Sequence, residues 1–392
     1  MSGGLEVTVN ARHLAGQRTG IEVYMEQLLG ALAGTGLVHI TAVSWAPLGL
    51  DLPNLREVVP TLRPDFPPGA LGGLRATLWK HWFDQWRCLR TVAPPGRLLY
   101  HGLDGFLPYS LRRHDRCVAT VHDLGWRVHP ELYPRKLRVM YGVLFPWVTK
   151  RADRLVAVSR HTADDLIRLA GVSASRIEVV HHGLDPAFDL PVDASAAPVD
   201  AVSGAPVDAA SAAPAGSPYL LAVGGISPRK NTRRLMQAFT RWRARGGHRA
   251  AYTLRISGTS LEPDFQRDGA PLPDGVSLLG YVDKAELRRQ YAGAAAFVYP
   301  SIYEGFGLPI VEAMACGTPV VTSRTASAPE IAGGAAILVD PFDLESIESG
   351  LEHVTRPDEA ERLRALGRNR ARHFRWSAAA SQTLEIYRQL TR

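Results

Sequence analysis

Short apolar runs alternate with amphipathic stretches along most of this chain, and this order predicts an α/β protein. Residues 5–9 alternate between apolar and polar side chains as a strand does, and residues 21–32 carry apolar side chains at helical spacing. Further apolar runs predict strands at 38–44, 98–102, 117–123, 151–159, 177–185, 219–225, 252–258, 276–282 and 294–300. Strands that alternate with helices favour parallel sheets, whose ligands bind beyond the carboxyl ends of the strands.

The pattern is interrupted over residues 191–218. Pro-Val-Asp-Ala recurs there three times in a background of Ala, Ser, Gly and Pro, and this composition cannot build a hydrophobic core. We therefore predict an N-terminal domain over residues 1–190, a flexible linker insertion over 191–218, a C-terminal domain over 219–375 and a last helix over 376–392. A chain of 392 residues is long enough for two domains with separate cores.

The composition is globular. Hydrophobic residues make up 46% and charged residues 21% of the chain, and no run of about 18 apolar residues occurs that could cross a bilayer. The N-terminus lacks the basic and apolar regions of a signal peptide, so we expect a cytoplasmic protein. Cys88, Cys117 and Cys316 lack the spacing of a disulfide framework or a zinc site, and we expect no bound metal.

Two features of the N-terminal domain bear on its partners. The formal net charge is +7, and residues 112–160 hold eleven Lys or Arg against four Asp or Glu. Upstream, Trp79, Trp82 and Trp86 recur at three- and four-residue steps. Such a stripe more often packs into its own domain, but it is also compatible with peripheral membrane contact, in which basic residues meet anionic lipid. Nucleic acid is the least favoured partner, because no binding motif accompanies the charge.

The segment 299–321 combines a strand, a glycine-rich loop, a short helix and a second strand. Gly305 and Gly307 allow the backbone to approach a ligand, and N–H groups at the start of such a helix bind anions. Glu304 precedes the loop, and Glu312 lies eight residues later inside the helix. The segment predicts a phosphate site with a carboxylate on either side. Taken alone, the spacing of the glutamates is more typical of a surface turn before an ordinary helix.

Two turns carry further residues suited to anion binding. Arg229 and Lys230 precede a helix predicted from about 232 to 239, so two cations and a helix end could grip a diphosphate. Gly20 lies at the turn before the first predicted helix, without a full Gly-x-Gly-x-x-Gly motif. Each turn is equally compatible with a plain connection.

Histidines also occur near the ends of predicted strands. His122 and Asp123 end the buried strand predicted over 117–123, and ligands bind beyond this end of the strands in open α/β sheets. A lone histidine is more often a hydrogen-bonded core residue, and we expect that role for His101 and His129.

The ordered set of these segments resembles the family 4 glycosyltransferases, which are retaining enzymes of the GT-B fold. The resemblance covers nearly the whole chain apart from 191–218. Its strongest parts are the segment 299–321 and Val121-His-Asp-Leu-Gly-Trp-Arg-Val-His-Pro130, which is similar to the active-site segment of mannosyltransferase-like members. The resemblance implies two facing Rossmann-like domains, with the donor held mainly by the second and the acceptor by the first. It also implies a C-terminal helix that crosses back to the first domain.

The resemblance also implies roles for individual residues. Glu304 and His122 take the positions that contact the donor sugar and are the implied catalytic residues, while Glu312 takes the position that holds the nucleotide ribose. The Arg that often follows the glycine of the diphosphate turn is absent, because Ile226 stands there, and Arg229 can substitute. The implied donor-binding residues are Gly20, Arg229, Lys230, Gly305, Phe306, Gly307, Leu308 and Glu312, with Asp123 on the acceptor side. No cofactor is implied, since the nucleotide sugar is a substrate.

The donor is indicated by four segments, which together look most like members that use GDP-mannose: Thr19-Gly-Ile21, Val121-His-Asp-Leu124, Pro228-Arg-Lys-Asn231 and Pro329-Glu-Ile-Ala-Gly333. We therefore expect a retaining hexosyltransferase that moves mannose onto a glycan or lipid-linked acceptor in polysaccharide biosynthesis, in the cytoplasm or at the inner face of the cytoplasmic membrane. UDP- and dTDP-sugars remain open as donors. A nucleotide-sugar epimerase of the same fold and a non-catalytic nucleotide-sugar sensor are the alternatives from other functional classes.

Overall fold

The structure is a computed structural model that describes residues 4–15, 20–59, 97–189, 217–258 and 271–392. The chain divides into two compact units. The first comprises Met1–Gly183 and Arg375–Arg392, and the second comprises Leu184–Phe374. The predicted Trp79, Trp82 and Trp86 stripe and residues 191–216 of the predicted insertion lie outside the described residues.

The first unit is built on a parallel sheet. Its described strands are Leu5–Asn10 (β1), Val38–Val43 (β2), Leu55–Val58 (β3), Leu99–Gly102 (β4), Arg116–Val121 (β5), Arg154–Ala157 (β6) and Ile177–Val179 (β7). They lie in the order β3-β2-β1-β4-β5-β6-β7, and β1 pairs with β2 from Leu5 opposite Val38 to Asn10 opposite Val43. Strands β4 and β5 are buried along most of their length, as expected where both faces of a parallel sheet are covered.

Helices connect these strands. They are Gly20–Ala33 (α1), Gly125–Val128 (α2), Arg135–Arg151 (α3) and Arg160–Ala170 (α4). Helix α4 is capped at both ends: the Ser159 hydroxyl accepts a hydrogen bond from the Thr162 N–H, and the helix ends at Gly171 with a φ of +64°.

The second unit repeats this plan with another parallel sheet. Its described strands are Tyr219–Val223 (β8), Thr253–Ser257 (β9), Val276–Gly280 (β10), Ala296–Tyr299 (β11), Val320–Ser323 (β12) and Ile337–Val339 (β13). Its described helices are Thr232–Ala244 (α5), Lys284–Gly293 (α6), Leu308–Ala315 (α7), Ala328–Ala332 (α8), Leu344–Val354 (α9) and Pro357–Ala371 (α10). The strands follow the order β10-β9-β8-β11-β12-β13, so the direction of strand succession reverses between β8 and β11.

The last helix, Trp376–Thr391 (α11), returns to the first unit and packs against α1. Its Leu384 and Tyr387 belong to the same core cluster as Tyr24 and Leu28 of α1. The Tyr387 hydroxyl also lies 2.6 Å from His101 Nδ1, at the end of β4. The predicted C-terminal helix that crosses back to the first domain is therefore confirmed. No helix in the described ranges is long and apolar enough to span a membrane.

Candidate active site

The strand order of the second unit brings two predicted segments together. Strands β8 and β11 are direct neighbours, so the turn after β8 lies beside the loop after β11. The Ile302 N–H, in that loop, donates a hydrogen bond of 2.9 Å to the Arg229 carbonyl oxygen in that turn. Ligands of open α/β sheets bind where the strand order reverses in this way, beyond the carboxyl ends of the strands.

Glu304 is buried at this point, and two cations hold its carboxylate. Arg229 Nη1 lies 2.8 Å from Oε2, and Lys230 Nζ lies 2.8 Å from Oε1. Burial alone would raise the pKa of Glu304, but Arg229 and Lys230 outweigh it and lower the pKa to about 2. The carboxylate is therefore ionised at any physiological pH.

A tyrosine completes the group around Glu304. The Tyr299 hydroxyl donates to Glu304 Oε1 over 3.1 Å and accepts a hydrogen bond from Lys230 Nζ. Lys230 Nζ also lies 4.7 Å from the centre of the Tyr299 ring, within the range of a cation–π interaction. Sequence reasoning did not assign Tyr299 to the site, because nothing in its local pattern distinguishes it from the buried residues around it.

Backbone features fix the turn that carries the two cations. Gly224 has a φ of +111°, which favours glycine, and a Cβ there would crowd the Lys230 side chain at 3.0 Å. Asn231 adopts the left-handed conformation at the start of α5. Its side-chain amide donates to the carbonyl oxygens of Pro300 and Pro341, at 3.1 and 2.6 Å, and so ties the turn to the loops after β11 and β13.

The glycine-rich loop then leads into α7. Gly307 has a φ of +99° at the N-cap of this helix, and the Ser327 hydroxyl lies 2.9 Å from the carbonyl oxygens of both Glu304 and Phe306. The first-turn N–H groups of a helix lack carbonyl partners within the helix and attract anions. Gly305, Phe306, Gly307 and Leu308 thus form the approach to a helix start beside Glu304, Arg229 and Lys230.

Glu312 lies one turn from the end of α7 in a different environment. Its Oε2 accepts a hydrogen bond of 3.1 Å from the Tyr291 hydroxyl. Burial raises the pKa of Glu312 to about 7, although the Tyr291 hydrogen bond lowers it. Asp185 raises this pKa further and Lys284 opposes that effect, and these two residues form an ion pair of 2.6 Å with each other.

In the first unit, His122 follows β5 directly. Its Nε2 lies 2.8 Å from the Leu103 carbonyl oxygen, which can only accept, so Nε2 carries a proton. Burial lowers the pKa of His122, and the ring is therefore neutral near pH 7, with Nδ1 as a hydrogen-bond acceptor. The Tyr24 ring packs edge-on against His122 at 4.8 Å.

Two further histidines of the first unit, His182 and His101, are buried. His182 packs against Tyr24 at 4.8 Å and stacks on Trp376 at 5.7 Å, and burial lowers its pKa well below the ordinary value. His101 is fully buried between Tyr387 and Thr120, and burial lowers its pKa to about 3. The expected core role is thus correct for His101.

The remaining predictions for this unit fall on its loops and on the start of α1. His129 is only half-buried and pairs with Glu131 at 3.1 Å, so the expected core role is wrong for it. Asp123 Oδ1 accepts from the Gly125 N–H at 2.9 Å and therefore orders its own loop. Gly20 is the first residue of α1, whereas residues 16–19 before it lie outside the described residues.

The first unit also holds a charged cluster that sequence reasoning missed. His13 lies 3.3 Å from Asp104 and 3.5 Å from Glu22, and Arg12 lies 3.5 Å from Asp104. Burial opposes the charge on His13, but the two carboxylates outweigh it and raise the pKa of His13 to about 9. The cluster lies at the ends of β1 and β4, where the strand order of this sheet reverses.

In the part of the chain that the structure describes, no group of three or more His, Cys, Asp or Glu is placed to hold a metal ion.

The chain matches two models of known protein families. Residues 18–188 match the model described as Glycosyltransferase Family 4, and residues 217–356 match the model described as Glycosyl transferases group 1. The O-antigen chain mannosyltransferase B of Escherichia coli is 34% identical over 304 residues, which cover 74% of each chain.

Solved structures share the fold. A sucrose-phosphate synthase from Thermosynechococcus elongatus superposes with a TM-score of 0.71 at 24% identity, over 99% of each chain. Anabaena Alr3699/HepE in complex with UDP-glucose gives a TM-score of 0.62 at 16% identity, over 98% of this chain and 99% of that one. These likenesses confirm the predicted GT-B class, with two Rossmann-like parallel-sheet domains.

Proposed function

The chain belongs to the family 4 glycosyltransferases, and from this premise we propose that it is a retaining mannosyltransferase that uses GDP-mannose. The observation that carries the proposal is the position of Glu304. Its carboxylate lies between Arg229 and Lys230 where the strand order of the second sheet reverses, beside the start of α7. This arrangement offers two cations and a helix N-terminus to a diphosphate and a carboxylate to the hydroxyls of a sugar.

The proposed sugar transfer depends more on stabilising the negative charge of the leaving GDP than on a base supplied by the protein. The bond between the sugar C1 and the donor phosphate oxygen breaks, and the leaving GDP takes that electron pair as negative charge. Arg229, Lys230 and the first turn of α7 stabilise this charge. The acceptor hydroxyl forms its bond to C1 on the same face, and its proton passes to the departing phosphate oxygen.

The remaining site residues orient the donor in this scheme. We assign the sugar hydroxyls to Glu304 and to the neutral His122, whose Nδ1 can accept a hydrogen bond. We assign the nucleotide ribose to Glu312. Because Glu304 is already held as an anion by two cations, it is poorly suited to act as the proton-donating acid of a two-carboxylate hydrolase.

The acceptor is proposed to be a glycan or a lipid-linked glycan, in polysaccharide biosynthesis. The similarity to an O-antigen chain mannosyltransferase supports both this acceptor class and mannose as the sugar. Asp123 stays a candidate on the acceptor side, in the loop that follows β5.

A lipid-linked acceptor would place the protein at the inner face of the cytoplasmic membrane, and helix α3 supports this location. The helix carries five basic and no acidic residues. Its Val139 and Val143 are 60% and 65% exposed, one turn apart, so an apolar surface lies among basic residues. Nucleic acid is not proposed as a partner.

Vesicle co-sedimentation tests the membrane contact. We expect binding to vesicles with phosphatidylglycerol but not to pure phosphatidylcholine, and roughly tenfold weaker binding after Val139→Asp with Val143→Asp. Ile167→Asp, at an exposed residue of α4, is the matched control and should bind normally. Equal binding by the double variant would remove α3 from the contact.

The donor is tested by thermal shift with GDP, UDP, dTDP and their common sugar conjugates, since a ligand that binds only the folded state raises its stability. Selective stabilisation by GDP and GDP-mannose is the expected result. A selective response to UDP-glucose would keep the fold and the reaction but replace the donor, and the UDP-glucose complex of the Anabaena protein makes this the alternative donor. Stabilisation by no nucleotide would contradict the proposal.

A further inference from the structure

Each of the two glutamates receives a hydrogen bond from a different buried tyrosine. The Tyr299 hydroxyl donates to Glu304 Oε1, and the Tyr291 hydroxyl donates to Glu312 Oε2, both over 3.1 Å. Tyr299 is 2% exposed and Tyr291 is fully buried. Neither ring can therefore reach bulk water, and each hydroxyl is fixed by the packing around it.

Packing alone does not require either hydroxyl. The Tyr299 ring stacks on Phe297 at 5.4 Å, and Phe297 in turn packs edge-on against Tyr291 at 5.3 Å. Phenylalanine would fill these positions with the same ring contacts. Burial of a hydroxyl group costs free energy unless the group makes a hydrogen bond. Each of these two tyrosine hydroxyls makes that hydrogen bond to one of the two glutamates.

The partners of Glu304 respond differently to a bound donor. Arg229 and Lys230 are cations, and a diphosphate that enters the site competes with the carboxylate for both of them. The Tyr299 hydroxyl is neutral and buried, so a diphosphate would not draw it away from Glu304. Burial and the Glu304 charge raise the pKa of Tyr299 well above its ordinary value, which keeps the hydroxyl protonated as a donor.

We propose that Tyr299 and Tyr291 are positioning residues with separate tasks: Tyr299 orients Glu304 toward the donor sugar, and Tyr291 orients Glu312 toward the nucleotide ribose. The inference rests on the proposed function. It predicts that removal of each hydroxyl changes a different kinetic constant, because the sugar is the reacting group and the ribose is not.

Matched hydroxyl deletions test this division. Tyr299→Phe should lower kcat about tenfold with less than a twofold change in the KM for the donor. Tyr291→Phe should raise the donor KM and the Kd for the free nucleoside diphosphate about fivefold, with kcat within twofold of wild type. Each variant serves as the control for the other, since both lose one buried hydroxyl from a ring that packs against Phe297.

A double-mutant cycle separates positioning from a general loss of structure. If Tyr299 acts through Glu304, then Tyr299→Phe has no further effect on kcat in a Glu304→Gln background. Thermal denaturation shows whether each variant is folded, and a variant that does not fold is replaced by Tyr299→Met or Tyr291→Met, whose flexible apolar side chain fills the buried site without a hydroxyl.

The outcomes are distinct. A wild-type protein that turns over no nucleotide sugar would contradict the proposed function itself. With an active wild type, unchanged kcat in Tyr299→Phe, or equal changes of kcat and KM in both variants, would overturn the division of tasks.

Discussion

Glu304 and Glu312 lie eight residues apart in one segment, yet the protein keeps them in opposite electrostatic states. Two cations lower the pKa of Glu304 to about 2, whereas burial raises the pKa of Glu312 to about 7. Both accept a hydrogen bond from a tyrosine hydroxyl, so these two bonds do not explain the difference. The difference comes from the neighbouring strand, which brings Arg229 and Lys230 to one carboxylate and not to the other. One loop and helix can thus present a permanent anion and a group that titrates near neutral pH.

The largest expected effect concerns Glu304. Glu304→Gln keeps the size of the side chain but removes its charge, and turnover should fall about 100- to 1,000-fold because an oriented group of the reaction is lost. Binding of GDP, measured by calorimetry, should be retained, since the two cations remain. Glu312→Gln is the control, and we expect it to change turnover far less. Equal losses in both variants would erase the distinction between the two glutamates.

The second largest expected effect concerns the cation Lys230. Lys230→Ala should weaken donor binding about 10- to 100-fold, because a charged hydrogen-bond donor to the diphosphate is lost. Lys230→Arg should restore part of the affinity. Calorimetric titration with GDP measures both variants, and wild-type affinity in Lys230→Ala would remove the turn from the donor site.

The titration of Glu312 predicts a pH effect on nucleotide affinity. The ionised carboxylate accepts hydrogen bonds from ribose hydroxyls better than the neutral acid does, so binding favours loss of the proton. Affinity for GDP should therefore rise about tenfold as the pH increases from about 6 to 8, through the raised pKa near 7. In Glu312→Gln the part of the dependence that comes from Glu312 should disappear, which leaves only that of the terminal phosphate of GDP, whose second pKa is about 6. A pH-independent affinity in the wild-type protein would show that Glu312 does not meet the nucleotide.

The smallest effect is on stability, and its sign differs between the two sites. The raised pKa of Glu312 means that its ionisation destabilises the fold as the pH rises through about 7, so Glu312→Gln should raise the Tm at pH 8 by a few degrees. The lowered pKa of Glu304 stabilises the fold above its ordinary pKa, and this contribution is lost as the pH falls toward 2. Glu304→Gln should therefore lower the Tm at pH 8. Shifts of the same sign, measured by thermal denaturation, would contradict the assigned states.

The residue types of the segment 299–321 made much of its local structure predictable. Gly307 precedes and Gly317 follows α7, which runs from Leu308 to Ala315, and Pro309 lies in its first turn, where proline is favoured. The apolar runs likewise predicted most strands to within a few residues. Strand β3 was missed because its four residues follow a proline-rich connection and are only partly buried. Helix α3 was recognised only as a basic region, since apolar residues on both its inner and outer faces weaken the amphipathic pattern.

The partners of the site residues were harder to predict. Lys230 meets Glu304 across 74 positions of sequence because β8 and β11 are neighbours. His13 meets Asp104 for the same reason, since β1 and β4 adjoin. Strand order is a property of the whole sheet, so the residue types at each turn could be recognised but their pairing, and hence the pKa of each group, could not.

The most direct test of the account is transfer of radiolabelled mannose from GDP-mannose into a lipid extract of the cells that make the protein. We predict label in the lipid-linked or glycan fraction with the wild-type protein, and about 1% of that incorporation or less with Glu304→Gln. Incorporation from a UDP-sugar instead of GDP-mannose would contradict the proposed donor. Equal incorporation by Glu304→Gln would contradict the central claim, that the carboxylate held between Arg229 and Lys230 is part of the reaction.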